Sequence, residues 1–212
     1  MQTAVYGDPS AAVQLIQPVD DHDLALIENE FAVIKANTKT DFGLTTLKVG
    51  SWNTDLSPWE SPAVFGNEGF GAGAERTLDE VRRLCTDPDK TYVIGGYSLA
   101  GLFALWAVYQ TDLFAGAAAA SPSVWFPGFT DYMKTHEIRC SRVYLSLGNK
   151  EEKTRNPVMS TVGSRIREAY DWLKSQNVGC TLEWNAGNHF RDADLRTAKG
   201  FAWVMNQAYE LQ

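Results

Sequence analysis

Ser98 stands in Gly96-Tyr97-Ser98-Leu99-Ala100, between the apolar run Tyr92-Val93-Ile94 and a second apolar stretch over residues 99–109. A serine with a small residue two positions away on either side suits a sharp strand-to-helix turn, the nucleophile elbow. Such a turn strains the backbone at the serine and pushes its oxygen into the open. Gly96 and Ala100 are small because strand and helix nearly touch there. A serine hydroxyl is a weak nucleophile by itself; it needs a base within hydrogen-bond reach, oriented by a third group. The chain holds three histidines, His22, His136 and His189. Along a chain with this turn the order is serine, acid, histidine. His22 precedes Ser98, and His136 falls in a polar stretch. His189, in Gly187-Asn188-His189-Phe190, lies after the last expected strand and before the last expected helix, where the base belongs. The acid is sought in Asn149-Lys150-Glu151-Glu152-Lys153. Either glutamate could orient the histidine; Glu151 is preferred and Glu152 stays open. Asp192 and Asp194 better suit the N-terminus of the last helix. The chemistry of such a set is acyl transfer, in which backbone N–H groups steady the tetrahedral oxygen. Leu99, following the serine, should supply one. Val19, in Pro18-Val19-Asp20-Asp21, is the best candidate for the other because Pro18 has no N–H, with Trp52 as fallback.

The elements that must position these groups follow from periodicity. Strands are expected over residues 12–17 (ended by Pro18), 44–49, 92–94, 113–120, 142–147 and 180–184. Helices are expected over 21–35, 77–85, 99–109, from Asn156-Pro157 onward, and over 197–209. Leu24, Ile27, Phe31 and Ile34 share one face of the first. Thr77-Leu78-Asp79-Glu80 has the form of a capping box. Val158, Val162, Ile166, Tyr170 and Leu173 form a stripe on the fourth. Strands alternating with helices mean βαβ units and a mostly parallel sheet covered on both faces. Ligands on such sheets bind at the carboxyl ends of the strands. The segment 50–76 is long, rich in Gly and Pro, and carries Trp52, Trp59, Phe65 and Phe70. It is a candidate lid or substrate-binding loop, and its aromatics equally suit a plug over the core. Trp52 and Trp125 are the candidate substrate-contacting rings, Trp125 with core as its other reading. Gly69-Phe70-Gly71-Ala72-Gly73 has the wrong spacing for a dinucleotide fingerprint.

Composition sets the bounds. The 212 residues suit a single domain, with 44% hydrophobic and 21% charged residues, ordinary for a globular chain. A net charge of −7 argues against nucleic acid or an anionic membrane as partner. The first residues lack the pattern of a signal peptide and no apolar run is long enough to span a bilayer. Cys85, Cys140 and Cys180 are odd in number, far apart and without metal-ligand spacing. A cytoplasmic protein is expected.

Taken together, residues 95–105, Ser121-Pro122-Ser123-Val124-Trp125-Phe126, Leu145-Ser146-Leu147-Gly148-Asn149-Lys150-Glu151 and Gly187-Asn188-His189-Phe190 resemble the α/β-hydrolase superfamily. More narrowly they are similar to the esterase group containing esterase D and the enterochelin esterases. The resemblance runs from about residue 91 to the end. It implies a three-layer α/β/α hydrolase fold and a serine hydrolase with Ser98 as nucleophile, Glu151 as acid and His189 as base. It also implies no metal or organic cofactor and a small-molecule ester as substrate. Ala100 stands where the family has glycine, and the N-terminal part is shorter than in those relatives, without the first strands of the full sheet. Family substrates span thioesters, siderophore esters and acyl sugars. An ester hydrolase is therefore the leading expectation, with a thioesterase or acyltransferase, or a non-catalytic small-molecule binder, as alternatives. Oligomeric state is left open.

Overall fold

The computed structural model describes residues 1–209. Seven strands form one sheet: β1 Gln2–Gly7, β2 Val13–Val19, β3 Phe42–Lys48, β4 Thr91–Tyr97, β5 Phe114–Ala120, β6 Arg142–Gly148 and β7 Gly179–Asn185. Their order is β1-β3-β2-β4-β5-β6-β7, all parallel except β1. The helices are α1 Asp21–Asn37, α2 Trp52–Asp55, α3 Ala74–Leu84, α4 Leu99–Gln110, α5 Phe129–Thr135, α6 Val162–Ser175 and α7 Ala193–Tyr209. A 3₁₀ turn, Met159–Thr161, leads into α6.

The apolar groups divide between the two faces of the sheet. Ile27 and Ile34 of α1 and Phe201 and Val204 of α7 pack with Leu15, Leu44 and Tyr144 on one face. The other face buries α3, α4 and α6 through Leu78, Phe103, Ile166 and their neighbours. Every residue of α4 from Leu99 to Tyr109 is buried, as expected of a helix apolar all round. β5 is nearly all alanine because helices press on it from both sides. A side chain at Gly116 would meet Val204 at 2.7 Å, and one at Gly95 would meet Phe201 at 2.6 Å. No helix of the described residues is long and apolar enough to cross a membrane.

Three local departures from expectation have physical causes. Pro18 does not end β2 but lies inside it. Pairing with β4 reaches only Ile16↔Ile94, while pairing with β3 continues to Val19, so the missing N–H of Pro18 interrupts no ladder. Residues 2–7 form the antiparallel edge strand β1, whose exposure on nearly every residue hides it from apolar patterning. The third helix starts at Ala74, not Thr77. The Thr77 hydroxyl is no cap; it donates to the Asp55 carbonyl at 2.7 Å.

Candidate active site

At the end of β4 the chain turns through Ser98 with φ +57° and ψ −119° and enters α4 at once. A residue with a Cβ adopts this backbone only when its surroundings over-determine it. Here they do. A Cβ on Gly96 would lie 2.6 Å from that of Ala100, and one on Gly101 would lie 3.0 Å from the Gly96 carbonyl and 3.1 Å from that of Ala120. Thus Gly96 leaves room for the Ala100 methyl, and Gly101 lets α4 come close to the ends of β4 and β5.

The turn leaves Ser98 partly exposed. Its Oγ lies 2.9 Å from His189 Nε2, and His189 Nδ1 lies 2.7 Å from Glu151 Oε2. His189 comes from the loop after β7 and Glu151 from the turn after β6, where the Glu151 N–H donates to the Gly148 carbonyl at 3.0 Å. That turn separates the two adjacent glutamates. Glu151 is buried at the carboxyl edge of the sheet, whereas Glu152 faces outward and pairs with Arg167 of α6 at 3.4 Å.

Glu151 is surrounded by donors. Its Oε1 accepts from the Gly148 N–H at 2.7 Å, the Ser121 hydroxyl at 2.8 Å and Arg196 at 2.9 Å. Burial by itself would raise the Glu151 pKa. The bond and charge of His189 and the Gly148 and Ser121 donors outweigh burial and hold it below the ordinary carboxylate value. Arg196, 1% exposed, also donates to the Tyr97 hydroxyl (3.0 Å) and to the carbonyls of Ala186 (3.2 Å) and Asn188 (3.1 Å). Tyr97 in turn donates to the His189 carbonyl at 2.8 Å. One guanidinium therefore ties the acid, the histidine loop and the residue before Ser98 together. Sequence reading missed Arg196, which sits on α7 among polar residues with no motif to mark it.

Leu99 opens α4, so its N–H belongs to the first turn, which has no partners within the helix. Val19 does not offer the free N–H expected of it. The Val49 N–H donates to the Val19 carbonyl at 3.1 Å, in register with Val19↔Lys48, so both backbone groups of Val19 face β3. Alternation turns the next amide, Asp20, toward the β4 side, where it donates to Asp23 Oδ2 at 3.3 Å in the capping box of α1 and is likewise occupied. Trp52, the fallback, opens α2 beyond β3, one strand farther from Ser98.

The loop before α3 is docked rather than open. The Asp55 carboxylate takes the Gly50 and Ser51 N–H groups at 2.9 Å each and pairs with Arg76. Trp59 donates to the Pro127 carbonyl at 3.0 Å, and Asn156 reaches the Val64 carbonyl. Trp125 is buried, edge-on to both Phe65 and Phe70, and Trp52 is half-buried against the same core. Phe65 and Phe190 remain exposed, and Phe190 stands edge-on to the His189 ring. The other histidines lie elsewhere: His22 is exposed on α1, and His136 stacks on Tyr132 after α5. The cysteines are unpaired, and burial pushes the thiols of Cys85 and Cys140 up to about 12 each. Among the described residues, no group of three His, Cys, Asp or Glu side chains could hold a metal ion.

A parallel sheet with helices on both faces, a strained serine between β4 and α4, and a histidine after the last strand describe one architecture. The chain has the α/β-hydrolase fold. Among solved structures it is similar to an IroE-like serine hydrolase from Shewanella oneidensis, with TM-score 0.73 and 14% identity over 95% of this chain and 74% of that one. It is also similar to the siderophore hydrolase EstA of Aspergillus nidulans, with TM-score 0.67 and 20% identity over 95% and 86% of the two chains. The Bacillus cereus carboxylesterase shares TM-score 0.62 and 15% identity over 97% and 94%. No family model matches the sequence, and no curated protein does. Within the hydrolase fold, the Ser98, His189 and Glu151 side chains occupy the carboxyl edge of the sheet, where ligands of open α/β sheets bind.

Proposed function

We propose that this protein hydrolyses a carboxylic ester through an acyl-serine intermediate. The observation that carries the reading is the continuous chain Ser98 Oγ–His189 Nε2, 2.9 Å, and His189 Nδ1–Glu151 Oε2, 2.7 Å, at a serine held at φ +57°. His189 takes the Ser98 proton as Oγ attacks the acyl carbon, then gives it to the leaving alcohol. Glu151 keeps Nδ1 protonated, so that Nε2 is the accepting nitrogen, and stabilises the imidazolium. The Leu99 N–H, in the first turn of α4 without a partner inside the helix, is the donor for the oxyanion. Water then repeats the sequence on the acyl-serine and releases the acid. That structural neighbours include esterases and a serine hydrolase supports the same reading. Unpaired cysteines support a cytoplasmic setting.

A fluorophosphonate probe tests it. The wild type should be labelled at Ser98 and should turn over short-chain p-nitrophenyl esters, while Ser98→Ala, folded by circular dichroism, should do neither. An unlabelled, inactive wild type would falsify the proposal.

A further inference from the structure

The segment Ser121-Pro122-Ser123 leaves the end of β5 and places one hydroxyl at each end of the hydrogen-bonded chain. Ser121 Oγ donates to Glu151 Oε1 at 2.8 Å. Ser123 Oγ lies 3.3 Å from Ser98 Oγ, and the Ser123 N–H donates to the Ser98 carbonyl at 3.1 Å. Both serines are 1% exposed. Ser121 is held at φ +42°, a left-handed conformation that side chains with a Cβ rarely adopt. An observed outlier of this kind next to reacting groups points from structure to function. The strained residue delivers Ser123 to the nucleophile, with its backbone clamped to Ser98 through one bond and its hydroxyl through another.

We propose that Ser123 is a second catalytic hydroxyl, whose O–H donates to Ser98 Oγ and stabilises the negative charge that gathers there during attack. The inference rests on the ester-hydrolase reading. The direction of the bond follows from proton counting. Ser98 has one hydroxyl proton, and with Nδ1 of His189 protonated toward Glu151, that proton goes to Nε2. Ser98 Oγ is then an acceptor toward Ser123. On attack the Oγ–C bond forms, the carbonyl π pair moves to oxygen, and the Ser98 proton passes to His189. Ser123 keeps its own proton throughout. Oγ carries partial negative charge while its proton leaves ahead of full Oγ–C bonding. A bond to such an oxygen is stronger than one to a neutral hydroxyl, so the contact favours the transition state over the resting state. The resting separation of 3.3 Å is long for such a bond and leaves room to tighten.

The test is the second-order rate of fluorophosphonate labelling at Ser98 in wild type, Ser123→Ala, Ser123→Thr and Ser123→Val. Thr and Val share one shape and differ in the hydroxyl, so their ratio separates the hydroxyl from packing. The expected result is labelling about 10-fold slower in Ser123→Ala, with KM for a p-nitrophenyl ester little changed, and about 10-fold faster in Ser123→Thr than in Ser123→Val. A folded Ser123→Ala that labels at the wild-type rate, or Thr and Val variants that label alike, would overturn the inference and leave the esterase reading standing. A wild type that is not labelled would overturn both.

Discussion

Glu151 and Glu30 are both buried carboxylates, and the structure surrounds them in opposite ways. Glu151, beneath His189, receives Gly148, Ser121 and Arg196 on one oxygen and the imidazole on the other. Glu30, on α1 against β2, has a single weak donor, Gln17 Nε2 at 3.4 Å, and its Oε1 has no partner. Burial therefore pushes Glu30 well above the ordinary carboxylate pKa, and the nearby Asp23 and Asp194 add to the effect, while Glu151 is held below it. Burial alone does not decide the charge of an acid. The number of donors aimed at it does. The acid proposed for catalysis is the one whose charge its surroundings favour, and the one on α1 is the one whose surroundings favour the proton.

The largest effect should come from removing the charge of Glu151. In Glu151→Gln, kcat for ester hydrolysis should fall on the order of 10²–10⁴-fold, since a neutral amide no longer holds the working tautomer of His189. Activity within two-fold of wild type would break the comparison at its catalytic end. Arg196→Met should cost about 3–5 kcal/mol in urea unfolding, because Glu151 would stay buried without its cation. An unchanged midpoint would show that the remaining donors suffice.

The two acids should also differ in the sign of their pH dependence. Glu151, with a lowered pKa, stabilises the fold fully above its unfolded value of 4.5 and loses that contribution as pH falls through its folded value. Glu30, with a raised pKa, contributes fully below 4.5 and loses its contribution as pH rises. Asp23 behaves like Glu30: burial and Asp20 push it up to about 6, so its contribution fades between 3.8 and about 6. Glu30→Gln should therefore raise stability at pH 8 by about 1 kcal/mol and little at pH 4. Equal effects at both pH values would rule out a protonated Glu30. The smallest effect belongs to Glu152→Gln. Its partly exposed pair with Arg167 is worth about 0–1 kcal/mol, and hydrolysis should be unchanged. A loss of activity there comparable to that of Glu151→Gln would reopen the choice between the two glutamates.

Legibility in the sequence followed the range of the interactions. The elbow at Ser98 is written in five residues, because its demand for small neighbours is local. The order of β2 to β7 and the helices between them came from periodicity, since each element shows its own buried face. The edge strand β1 is too exposed to show such a pattern, and α2 and α5, at 4 and 7 residues, are too short. The start of α3 is hidden because Thr77 resembles a cap, while its hydroxyl bonds a residue 22 positions earlier.

By itself the sequence determined the alternation of strands and helices, the turn that exposes Ser98, and the loop that carries His189. These depend on local backbone preference and on which side chains avoid water. Tertiary structure alone decided that Glu151 rather than Glu152 reaches His189, and that Val19 spends its N–H on β3. It also decided that Arg196 and Ser123 close around the two ends of the site. Those outcomes turn on strand register and on the direction of single bonds between segments up to 99 residues apart. No local pattern encodes such directions, because they exist only once the sheet has brought the segments together.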